Sequence, residues 1–241
     1  MAAVVHGVVN AHDLLGREPV IVGGLAVLSR LSSPYRATVD LDVVDRLLDD
    51  VPHLEVLRAA DGAESVEPAA VLLPTDFGPV KVDVLEVRQV ELDQPSDDPG
   101  DRLHASAHAW ANDTATALTI EVIHTSHDPS RHIEVTNLVA EPGPLIAMKL
   151  QAIMNRSANK QGTDLLDIVH LTLDKATGPA ALDQISSVEA AVAHDILLHV
   201  DMWFDQKHTK SLQRIREAGG HDVTIDELDL VAELLADAAR R

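Results

Sequence analysis

The chain has no cysteine. Disulfides and thiolate metal sites are therefore excluded, and a reducing compartment fits. Aromatic residues are almost as scarce, two Trp, one Tyr and two Phe in 241 residues, so the core has to be built from Ala, Val, Leu and Ile. Basic residues are the third shortage: 19 Lys plus Arg against 39 Asp plus Glu give a formal charge of −20. A surface of that sign repels polyanions at long range. This argues against an extensive nucleic-acid footprint, while leaving room for a local basic patch or a nucleotide bridged by a metal. No apolar run approaches the roughly 18 residues that cross a bilayer as a helix. The start, Met1-Ala2-Ala3, lacks the basic lead-in of a signal peptide. Together these absences point to a soluble, cytoplasmic chain with no membrane partner, long enough for one large domain or two small ones.

What is present is concentrated between Val20 and Val44. Val20-Ile21-Val22 reads as a buried strand or the end of a helix. Gly23-Gly24 follows, where the absence of a Cβ lets a ligand approach the backbone. Leu25 to Leu31 has helical spacing, and Ser32-Ser33-Pro34 ends it. Ala37 to Val44 then alternates as a strand, with Thr38, Asp40 and Asp42 on one face and Val39, Leu41 and Val43 on the other. Two carboxylates two residues apart on one face repel, and a divalent metal is the usual way to offset all-oxygen repulsion. A third acid lies downstream. Val71-Leu72-Leu73 and Val80 to Leu85 read as the arms of a hairpin, and Asp83 is a lone acid in an apolar strand that needs a partner if buried.

Elsewhere the periodicity predicts a helix over Val4 to Leu15, a short strand at Leu54 to Leu57, and loops over Asp61 to Pro68 and Glu91 to Asp101. Asp45 to Asp50 reads as the start of a helix or a turn. A short helix over Leu103 to Ala111 carries His104 and His108 one turn apart, without the intervening acid of a His-Glu-x-x-His metal motif. Thr116 to His124 and His132 to Ala140 are strand-like. Glu141-Pro142-Gly143-Pro144 breaks the chain, and everything after it reads as helical. The expected division is therefore 1–142, an α/β part, and 143–241, a helical part. In the latter, Thr163 is placed to cap a helix over Asp164 to Leu173. Thr224 with Glu227 forms a capping box for a last helix. Lys207, Lys210 and Arg214 share one helical side.

The run from Val20 to Val44, with Gly23-Gly24 before Asp40-Leu41-Asp42, resembles the signature of the DNA polymerase β-like nucleotidyltransferase superfamily. The ending Arg36-x-Thr38-x-Asp40-Leu41-Asp42 looks most like its AbiEii/MenT toxin-type branch. Pro142 to Leu171 is similar to the same branch, with Leu145-Ile146 leading to Lys149, basic Arg156 and Lys160, then Asp164-x-x-Asp167. The resemblance spans Val20 to Leu173, with Glu91 to Thr114 unmatched. It implies an α+β fold, a nucleotidyltransferase-like mixed sheet with flanking helices, followed by a helical domain that completes the active-site cleft. It also implies Mg²⁺ (or Mn²⁺) held by Asp40, Asp42 and Asp83, and a nucleoside triphosphate met by Gly23, Gly24, Arg36, Thr38 and Lys149. Asp164 joins Asp40, Asp42, Asp83 and Lys149 as a catalytic residue. Arg36 either supports the loop or touches a phosphate. The implied reaction moves a nucleoside monophosphate to an RNA acceptor such as a tRNA 3′ end, with Lys207, Lys210 and Arg214 as the RNA contact and a cognate antitoxin as partner. Two other functions fit the residues: transfer to a small molecule such as an aminoglycoside, which an acidic surface suits, and a non-catalytic, antitoxin-like protein that binds a nucleotide or a partner.

Overall fold

The computed structural model describes residues 1–48, 51–125 and 131–241. The chain is α+β. Its elements run α1 (Ala2–Leu15), β1 (Val20–Val22), α2 (Gly23–Arg30), β2 (Asp40–Asp45), α3 (His53–Arg58), β3 (Glu64–Glu67), β4 (Ala70–Leu73), β5 (Val80–Glu86), α4 (Gln89–Asp93) and α5 (Pro99–Asp113). They continue with β6 (Thr116–His124), β7 (Arg131–Val139), α6 (Pro142–Ala152), α7 (Ala158–Leu173), α8 (Gly178–Ser186), α9 (Ala190–Val200), α10 (His208–Glu217) and α11 (Ile225–Ala239). Among the described residues, seven strands make one mixed sheet in the order β3-β4-β5-β2-β1-β7-β6. β1 is antiparallel to β2 and parallel to β7, and β2 is parallel to β5. No described helix is long and apolar enough to cross a membrane.

The chain divides into two compact units. The first comprises Met1–Ser29, Ser33–Gln89 and Ala111–Ala140; the second comprises Arg30–Ser32, Val90–Trp110 and Glu141–Arg241. The second unit thus draws on two segments that precede the Pro142 break. In the first unit α1 lies on the apolar face of the sheet, where a Cβ on Gly7 would stand 2.7 Å from Val80 and 3.8 Å from Leu41. Leu41, Val43, Val82 and Val84 are all buried there, so this part of the core is aliphatic.

Several elements depart from the sequence expectation. Leu54 to Leu57 is helical, not extended, because Pro52 and Asp45 start a helix: the Asp45 carboxylate accepts the His53 backbone N–H at 2.7 Å. Glu64–Glu67, expected as loop, is an edge strand whose residues are all exposed and which is held by backbone pairing to β4. Within 91–101, expected as loop, α4 ends and α5 begins. Asp98 Oδ1 accepts the N–H groups of Gly100 and Asp101 at 2.8 and 3.0 Å, and Pro99 needs no N–H partner in the first turn. α7 starts at Ala158 rather than Asp164, so Thr163 is interior and its hydroxyl donates to the Asn159 carbonyl at 3.3 Å. β2 starts at Asp40, leaving Val39 83% exposed ahead of it. Of the stretch expected as helix or turn, Asp45 closes β2, and positions 49–50 lie outside the described residues. The capping box on α11 forms as the sequence predicts, with Glu227 N–H donating to Thr224 Oγ1 at 3.2 Å and Thr224 N–H to Glu227 Oε2 at 2.8 Å.

In the second unit, α5 buries His108 at 4% exposure against the ring of His104, 4.2 Å away between centroids. Its Nδ1–H donates to the His104 carbonyl at 2.6 Å. Burial, then the neighbouring imidazole, push His108 down to about 3, outweighing the backbone hydrogen bond. The folded chain keeps this ring neutral, whereas the unfolded chain protonates it near 6.5. Its contribution is therefore complete above pH 6.5 and is lost progressively as pH falls toward 3. Urea unfolding should show stability dropping by up to about 1.4 kcal/mol per pH unit over that window from this residue. His108→Gln should flatten the slope between pH 6.5 and 5, and an unchanged slope would remove His108 as its source.

Candidate functional site

Strand alternation and register decide which acids meet. Across the parallel β2–β5 pair, Asp40 stands opposite Lys81 and Asp42 opposite Asp83. Residues two apart on a strand share a face, so Asp40, Asp42, Lys81 and Asp83 form one polar row. Their intervening neighbours Leu41 and Val82 point into the core. β4 places Ala70 beside Asp83, and β3 places Glu67 beside Ala70.

The Gly-Gly pair is fitted to this row. Gly23 has φ +63°, and a Cβ there would stand 1.9 Å from Asp42 Oδ2. Both the backbone conformation and the space demand glycine. A Cβ on Gly24 would stand 2.8 Å from Thr38 Oγ1 and 3.3 Å from Arg36 Nη2. The start of α2 is thus where Asp42, Thr38 and Arg36 converge. Thr38 is buried, and its hydroxyl donates to Asp40 Oδ1 at 2.9 Å. Arg36 Nη1 donates to its neighbour's carbonyl, Ala37 O, at 3.2 Å, and Nε lies 3.3 Å from the Tyr35 hydroxyl. Gly23→Ala should cost about 2 kcal/mol or more, because the left-handed backbone is strained for alanine and Asp42 must move. Thermal unfolding measures this, and a variant as stable as the parent would mean the contact is slack.

The sequence marks Lys81 only as part of the second hairpin arm. Its ammonium lies 3.0 Å from Asp83 Oδ1 and 3.0 Å from Glu67 Oε2. Partial burial acts to lower its pKa, but hydrogen bonds to Glu67 and Asp83 and the charge of both carboxylates leave it raised. Sequence alternation does place Lys81 on the side of Asp83. Glu67 had no such signal, because it sits on a fully exposed strand without an apolar pattern. Among the described residues, no group of three or more His, Asp or Glu side chains is close enough to hold a metal ion. Asp83 is drawn onto Lys81 and Asp40 accepts from Thr38. The carboxylates of the row are oxygen donors on adjacent strands, the kind that Mg²⁺ and Mn²⁺ take in preference to softer ions.

The remaining expected site residues lie in the second unit. Lys149 on α6 is 7% exposed, and its Nζ contacts Asp164 Oδ1 and Asp167 Oδ2, each at 2.7 Å. Asp164 and Asp167 are one turn apart on α7 and both buried. Arg156 Nε lies 3.1 Å from Asp164 Oδ2 as an ion pair whose angle makes no hydrogen bond. Burial acts to lower Lys149, but the charges of Asp164 and Asp167 and their hydrogen bonds leave it raised. Two cations and two anions thus close a local cluster between α6 and α7.

The basic residues proposed from spacing flank and line α10. Lys207 precedes it, after a π-helical turn over Asp201–Gln206, and its Nζ lies 4.4 Å from the centre of the Trp203 ring. Lys210 is exposed, and Arg214 Nη1 lies 3.7 Å from Glu217 Oε2. α10 packs closely on α7 because Gly162 has no side chain: a Cβ there would stand 2.1 Å from the Arg214 carbonyl oxygen. At the Asp45 end of β2, a cavity of about 480 Å³ lined by Arg17, Asp45, Arg46 and His53 is separate from the acid row. There Arg46 Nη1 contacts both carboxylate oxygens of Asp113 at 2.9 Å.

No protein-family model, curated protein or solved structure gives a match to this chain.

Proposed function

We propose that the chain is a metal-dependent nucleotidyltransferase of the DNA polymerase β-like kind, the toxin of a toxin–antitoxin pair. It would move a nucleoside monophosphate from a triphosphate to an RNA acceptor end. The observation that carries this reading is the fit of Gly23 against Asp42, within a row that also holds Asp40 and Asp83. Gly23 and Gly24 open α2, and having no side chains of their own they let Asp42, Thr38 and Arg36 pack against the helix start, where backbone N–H groups would meet phosphate oxygens. Asp40, Asp42 and Asp83 would hold Mg²⁺ or Mn²⁺, which supplies Lewis-acid charge to the phosphates when bound. Thr38 holds the Asp40 carboxylate in position through its hydroxyl. Arg36, beside Gly24, adds fixed positive charge where phosphate charge develops. Asp83 accepts the proton of the attacking acceptor hydroxyl as the bond to the α-phosphate forms and pyrophosphate leaves. Lys207, Lys210 and Arg214 give the acidic chain a local cationic side for RNA.

The −20 formal charge favours a second reading, transfer to a cationic small molecule such as an aminoglycoside. Incubating the chain with α-labelled nucleoside triphosphates, Mg²⁺ and total cellular RNA, and then with aminoglycosides, separates the two. Label in RNA supports the first reading and label only in the aminoglycoside selects the second. No label in either leaves a binding protein and overturns catalysis.

A further inference from the structure

We propose that Lys81 is a built-in counter-ion of the acid row, one that a divalent cation must displace from Asp83 before the site can load. The inference rests on the metal-dependent reading above and concerns this chain's own residues.

The geometry is specific. Lys81 stands opposite Asp40 and two residues before Asp83, on the face that carries all three acids. Its ammonium is shared between Asp83 Oδ1 and Glu67 Oε2, 3.0 Å from each. Glu67 belongs to β3, two strands away from Asp83, and the residue between them in the sheet is Ala70. Ala70 has no side chain beyond Cβ, so the Lys81 stem meets no obstruction from it in reaching across to Glu67. Glu67 is not needed to neutralise Asp83. Its position gives the ammonium a second carboxylate to retire to when Asp83 is taken by another cation. The arrangement keeps the row from self-repulsion when unloaded, and it sets the concentration at which loading occurs.

Two opposed effects follow. Without Lys81 the row is more negative and Asp83 is uncontested, so a divalent cation binds more tightly. Without the Glu67 charge, Lys81 has only Asp83 to pair with, so a divalent cation binds more weakly. A merely structural ion pair would move both variants in the same direction, through loosening of the β3–β5 edge.

The test is titration calorimetry of the full chain with Mn²⁺, without nucleotide, on the parent, Lys81→Met and Glu67→Gln, with thermal unfolding of each in the absence and presence of Mn²⁺. Removing a unit charge a few ångströms from a doubly charged ion should raise Mn²⁺ affinity about tenfold or more in Lys81→Met. Glu67→Gln should lower it by about threefold or more. Lys81→Met should melt below the parent without Mn²⁺ and gain more from it. If both variants lose affinity, or both match the parent, Lys81 is not a competitor at this site. If Asp42→Asn abolishes Mn²⁺ binding while the Lys81 and Glu67 variants leave it unchanged, the metal reading stands and this inference alone fails. Absence of binding in the parent and in both variants overturns both.

Discussion

Asp42→Ala should lower nucleotide transfer by about a thousandfold or more and leave the chain folded. Asp42 occupies the middle of the acid row, opposite Asp83 and two residues from Asp40. Losing one of three charged oxygen donors removes transition-state charge stabilisation of a kind worth at least two to three orders of magnitude in rate. The residue is half-buried, and the change reduces repulsion among neighbouring carboxylates. It also opens the space that excludes a Cβ from Gly23. Stability should therefore stay within about 1 kcal/mol of the parent. Labelled-nucleotide incorporation and urea unfolding on the same preparation decide the matter. Loss of activity with loss of fold would make Asp42 a structural residue, and retained activity would remove the row from the chemistry.

Lys149→Met should have the largest effect on stability. Its ammonium lies 2.7 Å from each of two carboxylates that are almost wholly buried. Removing it leaves like charges facing each other out of water, which costs about 3–5 kcal/mol. For a chain of this length that is a fall of roughly 10 °C in the unfolding midpoint. The pH dependence has a definite sign. Because the folded value of Lys149 is raised, its contribution is fully present below the ordinary lysine range and is lost only as pH rises through the higher folded value. The parent is thus insensitive to this residue at neutral pH. Adding Asp164→Asn and Asp167→Asn to Lys149→Met should restore much of the loss. A single variant as stable as the parent would mean that water reaches the pair.

The sequence made some of this legible and some not, for physical reasons. Alternation alone placed Asp40 and Asp42 together, because a strand with one buried face announces its other face. It also marked Asp83 as an acid in need of company. Alternation could not show that β5 lies parallel to β2 with Asp42 opposite Asp83, since register is set by packing between distant segments. The Gly23 contact depends on a second register, that of β1 on β2, which sets Val22 opposite Asp42. Leu54-Glu55-Val56-Leu57 is helical although its sequence also suits a strand, because four residues cannot distinguish a helical period from an extended one. The carboxylate that accepts its first N–H, Asp45, lies eight residues earlier and inside another element. Glu67 carries no signal in the sequence because the side chains of a fully exposed edge strand show no apolar pattern. The sequence marks Lys149 and Asp164 individually but not their mutual contact, because fifteen positions and a change of helix separate them.

The interleaving of the two units has a consequence for how the chain is made. A ribosome delivers Val20–Val22 early, but the parallel partner of Ile21 is Val139, and Val90–Trp110 must emerge before it. β1 therefore waits with one edge open while a segment destined for the other unit passes by. That other unit in turn closes only when α11 has left the exit tunnel, because α11 packs on α7, α8 and α9. The first unit is complete in sequence only once Ala140 has emerged, and until then it has to hold Val90–Trp110 aside for the second. Long-range closure of this kind is slow. Nascent chains arrested before Val139 should remain protease-sensitive across the central sheet, with protection arriving late and nearly at once.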